Sequence, residues 1–142
     1  MEIRLSTHGA WRHEYHIVWI PKYRRRVLKL GIKTYVERGI EEIIKYHPEI
    51  NINKYNVRVD HVHLIIEIPP KYSVAMIVGK LKQNSSRKIR ERFEWLGEMY
   101  KTGEFWSPGY FSSTIGLEEQ QIRKYVEYQE QVDKNQLRLG LP

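Results

Sequence analysis

Asp60-His61-Val62-His63-Leu64-Ile65-Ile66-Glu67-Ile68 is the stretch whose period decides the fold. Side chains alternate along a strand, so Val62, Leu64, Ile66 and Ile68 share one face. Four aliphatic residues in register mark that face as the core side. His61, His63, Ile65 and Glu67 then point to the opposite, open face. Imidazoles two residues apart on a strand sit about 7 Å apart at the backbone and can converge on one ion. The spacing alone is equally compatible with a half-exposed polar face. Two imidazoles are too few to hold a metal firmly, and the candidates for a third ligand are Glu67, Asp60 and residues delivered by the last helix.

Upstream, Glu14 to Ile20 is β-branched and aromatic and reads as a buried strand stopped by Pro21. A basic loop follows, with Lys22, Arg24, Arg25 and Arg26 around Tyr23. From Gly31 the apolar period becomes helical and lasts until Pro48. Ile52 to Val59 forms the strand before the decisive one, which Pro69-Pro70 closes. Ser73 is an N-cap for a second helix with the stripe Val74, Ile77, Val78, Leu81, Ile89 and Phe93. Lys80, Gln83, Asn84, Arg87 and Arg90 fall on its other side. Gly97 to Gly103 reads as a loop, and Phe105 to Ile115 as a last strand interrupted at Pro108-Gly109. Gly116 precedes a third helix from Glu118 to about Gln131, with a frayed tail over 135–142. Strand–helix–strand–strand–helix–strand is the ferredoxin-like βαββαβ arrangement of the α+β class, an antiparallel sheet with helices on one face, here with an added C-terminal helix. One sheet face is left uncovered by the first two helices.

The chain of 142 residues suits a single domain over 1–142 with its core at about 10–131. Lys plus Arg number 24 against 17 Asp plus Glu, a net charge of +7. A surplus of that size points to a polyanion, nucleic acid before membrane. The absence of Cys excludes thiol catalysis, thiolate zinc sites and iron–sulfur clusters. No apolar run reaches membrane-spanning length, and Met1 to His8 is too polar for a secretion signal, so a cytoplasmic protein is expected.

The last helix places Tyr125 and Gln129 four residues apart on one face, with Ile122 and Val126 able to seat it. A phenol is a possible nucleophile, and an amide carbonyl is a possible ligand for a hard cation. Tyr128 competes with Tyr125, but the residue four beyond it is Val132, which cannot ligate. The run His-x-His-x-x-x-Glu also occurs in cupin metal sites. Those need an all-β barrel, which three helical segments argue against.

A His-hydrophobic-His strand with a downstream Tyr-x-x-x-Gln helix resembles the HUH single-tyrosine transposases of the insertion-sequence 200/605 family. Tyr15 to Arg24 looks like that family's opening strand and basic turn, Asp60 to Leu64 like its metal motif, and Trp106 to Gly116 like its last strand. Ser85-Ser86-Arg87 lies in the expected second helix, and the likeness covers residues 10–131. The resemblance implies cleavage and rejoining of single-stranded DNA at hairpin-marked element ends. Tyr125 would form a 5′-phosphotyrosine, and His61, His63 and Gln129 would hold a divalent ion, Mg²⁺ with Mn²⁺ able to substitute. It also implies a homodimer in which the tyrosine helix of one chain can complete the other's site, with Gly116 as a hinge. Lys22, Arg24, Arg25, Arg26, Lys80, Arg87 and Arg90 are candidate phosphate contacts, and Tyr23 a base-stacking one. The rivals are a related HUH nickase or repeat-associated relative, and a non-catalytic nucleic-acid-binding module. The stacking signature of the last is absent from the sequence.

Overall fold

The chain folds as alternating strands and helices, and the computed structural model describes residues 3–6, 9–99 and 104–138. In order these are β1 (Arg4–Ser6), β2 (Gly9–Trp11), β3 (Glu14–Trp19), a 3-10 turn (Lys22–Arg24), α1 (Leu30–Tyr46), β4 (Asn51–Val57) and β5 (Val62–Glu67). Then come α2 (Val74–Arg92), α3 (Glu94–Met99), β6 (Phe111–Ser113) and α4 (Glu119–Arg138). Four strands form an antiparallel sheet in the order β4-β5-β3-β6, the ferredoxin-like pairing, while β1 and β2 make a separate ribbon. The register sets Val18 opposite both His63 and Phe111, and His16 opposite Ile65 and Ser113.

The aliphatic side of β5 is the core side: Val62, Leu64, Ile66 and Ile68 are fully buried, with Ile17 and Trp19 of β3 beside them. Ile32, Val36, Ile40 and Ile43 of α1, and Ile77, Val78, Leu81 and Ile89 of α2, close over that face. Each such side chain contributes roughly 1.5–3 kcal/mol on leaving water. The Ser73 hydroxyl accepts from the Met76 amide at 3.0 Å, capping α2 as its sequence indicates. The other sheet face carries a second apolar patch, Val18 and Ile20, and there Ile122 and Val126 of α4 pack. Helices therefore lie on both sides: α1 and α2 on one face, α4 on the other.

The structure corrects several expectations. Glu67 points away from the aliphatic face, yet it is buried at 1% exposure. Arg4 reaches it at 2.9 Å and Arg12 at 3.1 Å, and the Asn51 amide donates to it at 2.9 Å. The carboxylate is spent on ion pairs that fasten the β1–β2 ribbon. Residues 97–99 are helical in α3 instead of opening a loop, and the last strand shrinks to β6, with Trp106 joined to Pro21 only by an isolated bridge. The third helix continues past Gln131 to Arg138, so the proposed frayed tail is helical over 135–138. Parts of three sequence readings lie outside the described residues: the polar N-terminus at 1, 2, 7 and 8, the loop at 100–103, and the tail at 139–142. No described helix is long and apolar enough to cross a membrane.

Candidate active site

The β4–β5 hairpin and α4 enclose a cleft of about 700 Å³ on the sheet face opposite α1 and α2. His61 and His63 line it together with Asp60, Asn56, Ile122 and Val126, and four arginines (Arg24, Arg26, Arg58 and Arg123) stand in its walls. Strand alternation brings the imidazoles to this face, and the arginines make it cationic.

Each imidazole has a definite partner. His61 Nδ1 lies 2.9 Å from Asp60 Oδ1. An ionised carboxylate can only accept, so Nδ1 is the donor, and in the neutral ring the lone pair lies on Nε2. Burial pushes the Asp60 carboxyl up, but the bonds from His61 and Arg24 outweigh it, and the group titrates below its usual range. His63 Nε2 lies 3.4 Å from Nδ1 of His16, a third imidazole supplied by β3. Burial first, then the neighbouring His16 and His61, lower His63 to about 4. At neutral pH its ring is uncharged, the form that can bind a cation.

Tyr125 and Gln129 share a flank of α4 but do not line this cleft. The Tyr125 ring packs against Phe111 of β6, and its hydroxyl donates to Gln129 Oε1 at 3.4 Å. Gln129 is buried, and its amide donates to Asp133 Oδ1 at 3.2 Å. A Cβ on Gly109 would stand 2.9 Å from Gln129 Oε1, so only glycine leaves that carbonyl its place. Burial, with the Asp133 charge adding to it, raises the Tyr125 phenol well above its ordinary value. Fully buried Asp133 also accepts from the Tyr23 amide at 3.0 Å and the Ser107 hydroxyl at 2.9 Å. His61 and His63 thus share the cleft, while Tyr125 and Gln129 meet each other on α4 without lining it.

The basic residues divide as well. Lys22 is buried, and Arg24 donates to Asp60 at 2.9 Å and to Glu130 at 3.1 Å. The turn that carries them is tight: Tyr23 and Arg24 adopt left-handed backbone angles, φ 60° and 55°. Arg25 stacks over the Tyr23 ring, and Arg26 is exposed at the cleft. Lys80 and Arg87 line a separate depression between α1 and α2, on the far side of the sheet, and Arg90 borders another beside Trp106. Sequence reasoning missed Arg58, Arg123 and His16. His16 is two residues from Val18 on the same strand face, a spacing that could have found it; the two arginines meet only through the tertiary fold.

The sequence profile of the family described as "Transposase IS200 like" matches residues 9–129. The transposase for insertion sequence element IS200 of Salmonella typhimurium is 36% identical over 136 residues, covering 96% of this chain and 89% of that relative. The ISDra2 transposase TnpA of Deinococcus radiodurans is 29% identical over 130 residues, covering 91% and 92%. A crystal structure from Deinococcus radiodurans, of a protein assigned as a transposase, superposes with a TM-score of 0.76 at 26% identity over 89% of this chain and 97% of the other. A REP-associated tyrosine transposase bound to a REP hairpin has the same fold, with a TM-score of 0.56 at 16% identity over 87% and 70%.

Proposed function

The chain belongs to the IS200-like transposase family, and from that premise we propose that it cleaves and rejoins single-stranded DNA at hairpin-marked ends of an insertion sequence, with Tyr125 as nucleophile. The observation that carries this reading is the pair His61 and His63 set side by side in an arginine-walled cleft, with the Tyr125–Gln129 helix packed against it. The hairpin is carried over from the REP-bound protein of the same fold.

The donors suit a divalent cation. His61 has Nδ1 committed to Asp60 and Nε2 available, and His63 is neutral at pH 7. His61, His63 and the Gln129 carbonyl would hold Mg²⁺ or Mn²⁺. Such an ion supplies Lewis-acid polarisation of the scissile phosphate. Arg26, Arg58 and Arg123 draw the strand's phosphates into the cleft. The Tyr125 oxygen attacks phosphorus, the bond from phosphorus to the 3′-oxygen breaks, the phenolic proton leaves to solvent, and the departing 3′-oxygen takes up a proton from solvent. The products are a 5′-phosphotyrosine and a free 3′-hydroxyl. Attack by a 3′-hydroxyl on the phosphotyrosine reverses the exchange, so neither step needs a nucleotide cofactor.

Within one chain the phenol is half-buried and raised in pKa, and Tyr125 does not line the cleft. We read this as a resting arrangement. Tyr125 and Gln129 reach a His61–His63 pair when α4 swings about Gly116, or when a second copy delivers its α4. The test is to mix the protein with a labelled single-stranded hairpin oligonucleotide and Mn²⁺. An adduct that resists denaturation, is prevented by EDTA and is lost in Tyr125→Phe supports the proposal. Salt-sensitive retention with no adduct under any ion contradicts it.

A further inference from the structure

Sequence reading offers Asp60 as a metal ligand and Arg24 as a phosphate contact, yet the fold gives them to each other. Arg24 Nε donates to Asp60 Oδ2 at 2.9 Å, and the other oxygen of Asp60 faces His61 Nδ1 at 2.9 Å. The same guanidinium donates through Nη1 to Glu130 Oε1 at 3.1 Å. Glu130 belongs to α4, directly after Gln129. An unbroken line of charge-assisted hydrogen bonds therefore runs from the tyrosine-bearing helix, through the turn after β3, to the first imidazole of the pair.

The line has a chemical consequence at His61. A histidine without a fixed partner exchanges its proton between two ring nitrogens and turns about its ring bond. Asp60 allows one arrangement, with the proton on Nδ1 and the Nε2 lone pair presented to the cleft. A single carboxylate could itself rotate. Arg24 prevents this by taking the second oxygen, and the planar guanidinium can face two carboxylates at once, which an ammonium does less well. Asp60 is buried at 7% exposure, while its partner Arg24 is partly exposed.

We propose that Asp60 and Arg24 are positioning residues that lock His61 with Nε2 toward the cleft, and that Glu130 ties this lock to the docking of α4. The role rests on the reading of His61 and His63 as a cation site. A swing of α4 would release Glu130 from Arg24 and loosen the ligand at the moment the helix moves.

The test uses the full chain labelled with ¹⁵N at histidine, first without metal and then titrated with Mn²⁺. Wild-type His61 should show the Nδ1-protonated tautomer. Asp60→Ala and Arg24→Gln should convert it to a mixture and weaken Mn²⁺ affinity about 10–100-fold, while Glu130→Gln shifts both readouts the same way, by about 10-fold in affinity. A His61 tautomer unchanged in Asp60→Ala and Arg24→Gln overturns the lock. Should either variant fail to fold, Glu130→Gln decides, and an unchanged His61 signal there overturns the coupling to α4. Failure of the wild-type protein to bind Mn²⁺ would count against the cation site, while the metal-free tautomer comparison still judges the lock.

Discussion

Lys82 stands in the middle of α2 with its ammonium turned inward, donating to the carbonyls of Ser107 at 2.9 Å and Gly109 at 2.7 Å. It holds the segment against which Gln129 packs. Burial pushes its pKa down to about 8. Between that value and the ordinary lysine value of about 10.4 the unfolded chain binds more protons than the folded one, so Lys82 makes stability rise with pH across this window. Below pH 8 both states carry the proton, and the burial penalty is felt in full. Lys82→Met should flatten this part of the profile, by roughly 1.4 kcal/mol per pH unit at most, in urea melts at pH 7.5 and 9.5. Equal pH dependence in both proteins would refute the assignment. A second residue-scale prediction concerns Ser85, whose buried hydroxyl accepts from the Trp106 indole at 2.9 Å and donates to Leu81 O at 2.7 Å. Ser85→Ala leaves the indole without that acceptor and should cost about 1–3 kcal/mol in chemical denaturation.

At the scale of elements, α4 shows where sequence reading stops. Its first half was legible because Ile122 and Val126 keep a helical period. Its second half was not, because what docks it is polar. Asp133 gathers the Tyr23 amide, the Ser107 hydroxyl and the Gln129 amide, and Lys134 pairs with Glu130 at 2.7 Å. Asp133's partners Tyr23 and Ser107 lie 110 and 26 residues away and are brought in only by the fold. Asp133→Ala strands three donors, two of them buried, and each buried one is worth about 1–3 kcal/mol. It should lower amide-exchange protection in α4 before the β3–β5 pairing loosens. Uniform loss of protection over the whole chain would contradict a separable latch. The Glu67 misreading has the same origin. Strand alternation placed the carboxylate on the non-aliphatic face correctly, but only the distant Arg4 and Arg12 decide that it is buried.

At the scale of the whole molecule, the βαββαβ order of the main sheet and the core face of β5 were legible, since each rests on local period and punctuation, whereas the short β1–β2 ribbon and α3 were not. The cleft was not, because it forms only where the β4–β5 hairpin meets α4. It recruits Arg58 and Arg123 from segments that are far apart in sequence. The net charge of +7 is spread over both sides of the sheet: the cleft arginines on one, Lys80 and Arg87 on the other. A single strand in the cleft should bind with a steep salt dependence. Arg58→Ala and Arg123→Ala should each flatten the slope of log affinity against log salt by about 0.7. Slopes identical to wild type would remove those residues from the interface. Because Tyr125 does not line the cleft that holds the His pair, an inactive Tyr125→Phe protein mixed with an inactive His61→Ala protein should recover cleavage if a second copy supplies α4. No recovery would favour the swing within one chain.

The most direct measurement is to find which side chain carries the DNA. After reaction with a single-stranded hairpin oligonucleotide in Mn²⁺, digestion and mass spectrometry should locate a nucleotide phosphate on the peptide containing Tyr125, esterified at that phenol. A phosphate on Tyr128 or on any other side chain, or a cleaved strand with no protein-linked nucleotide at all, would contradict the account.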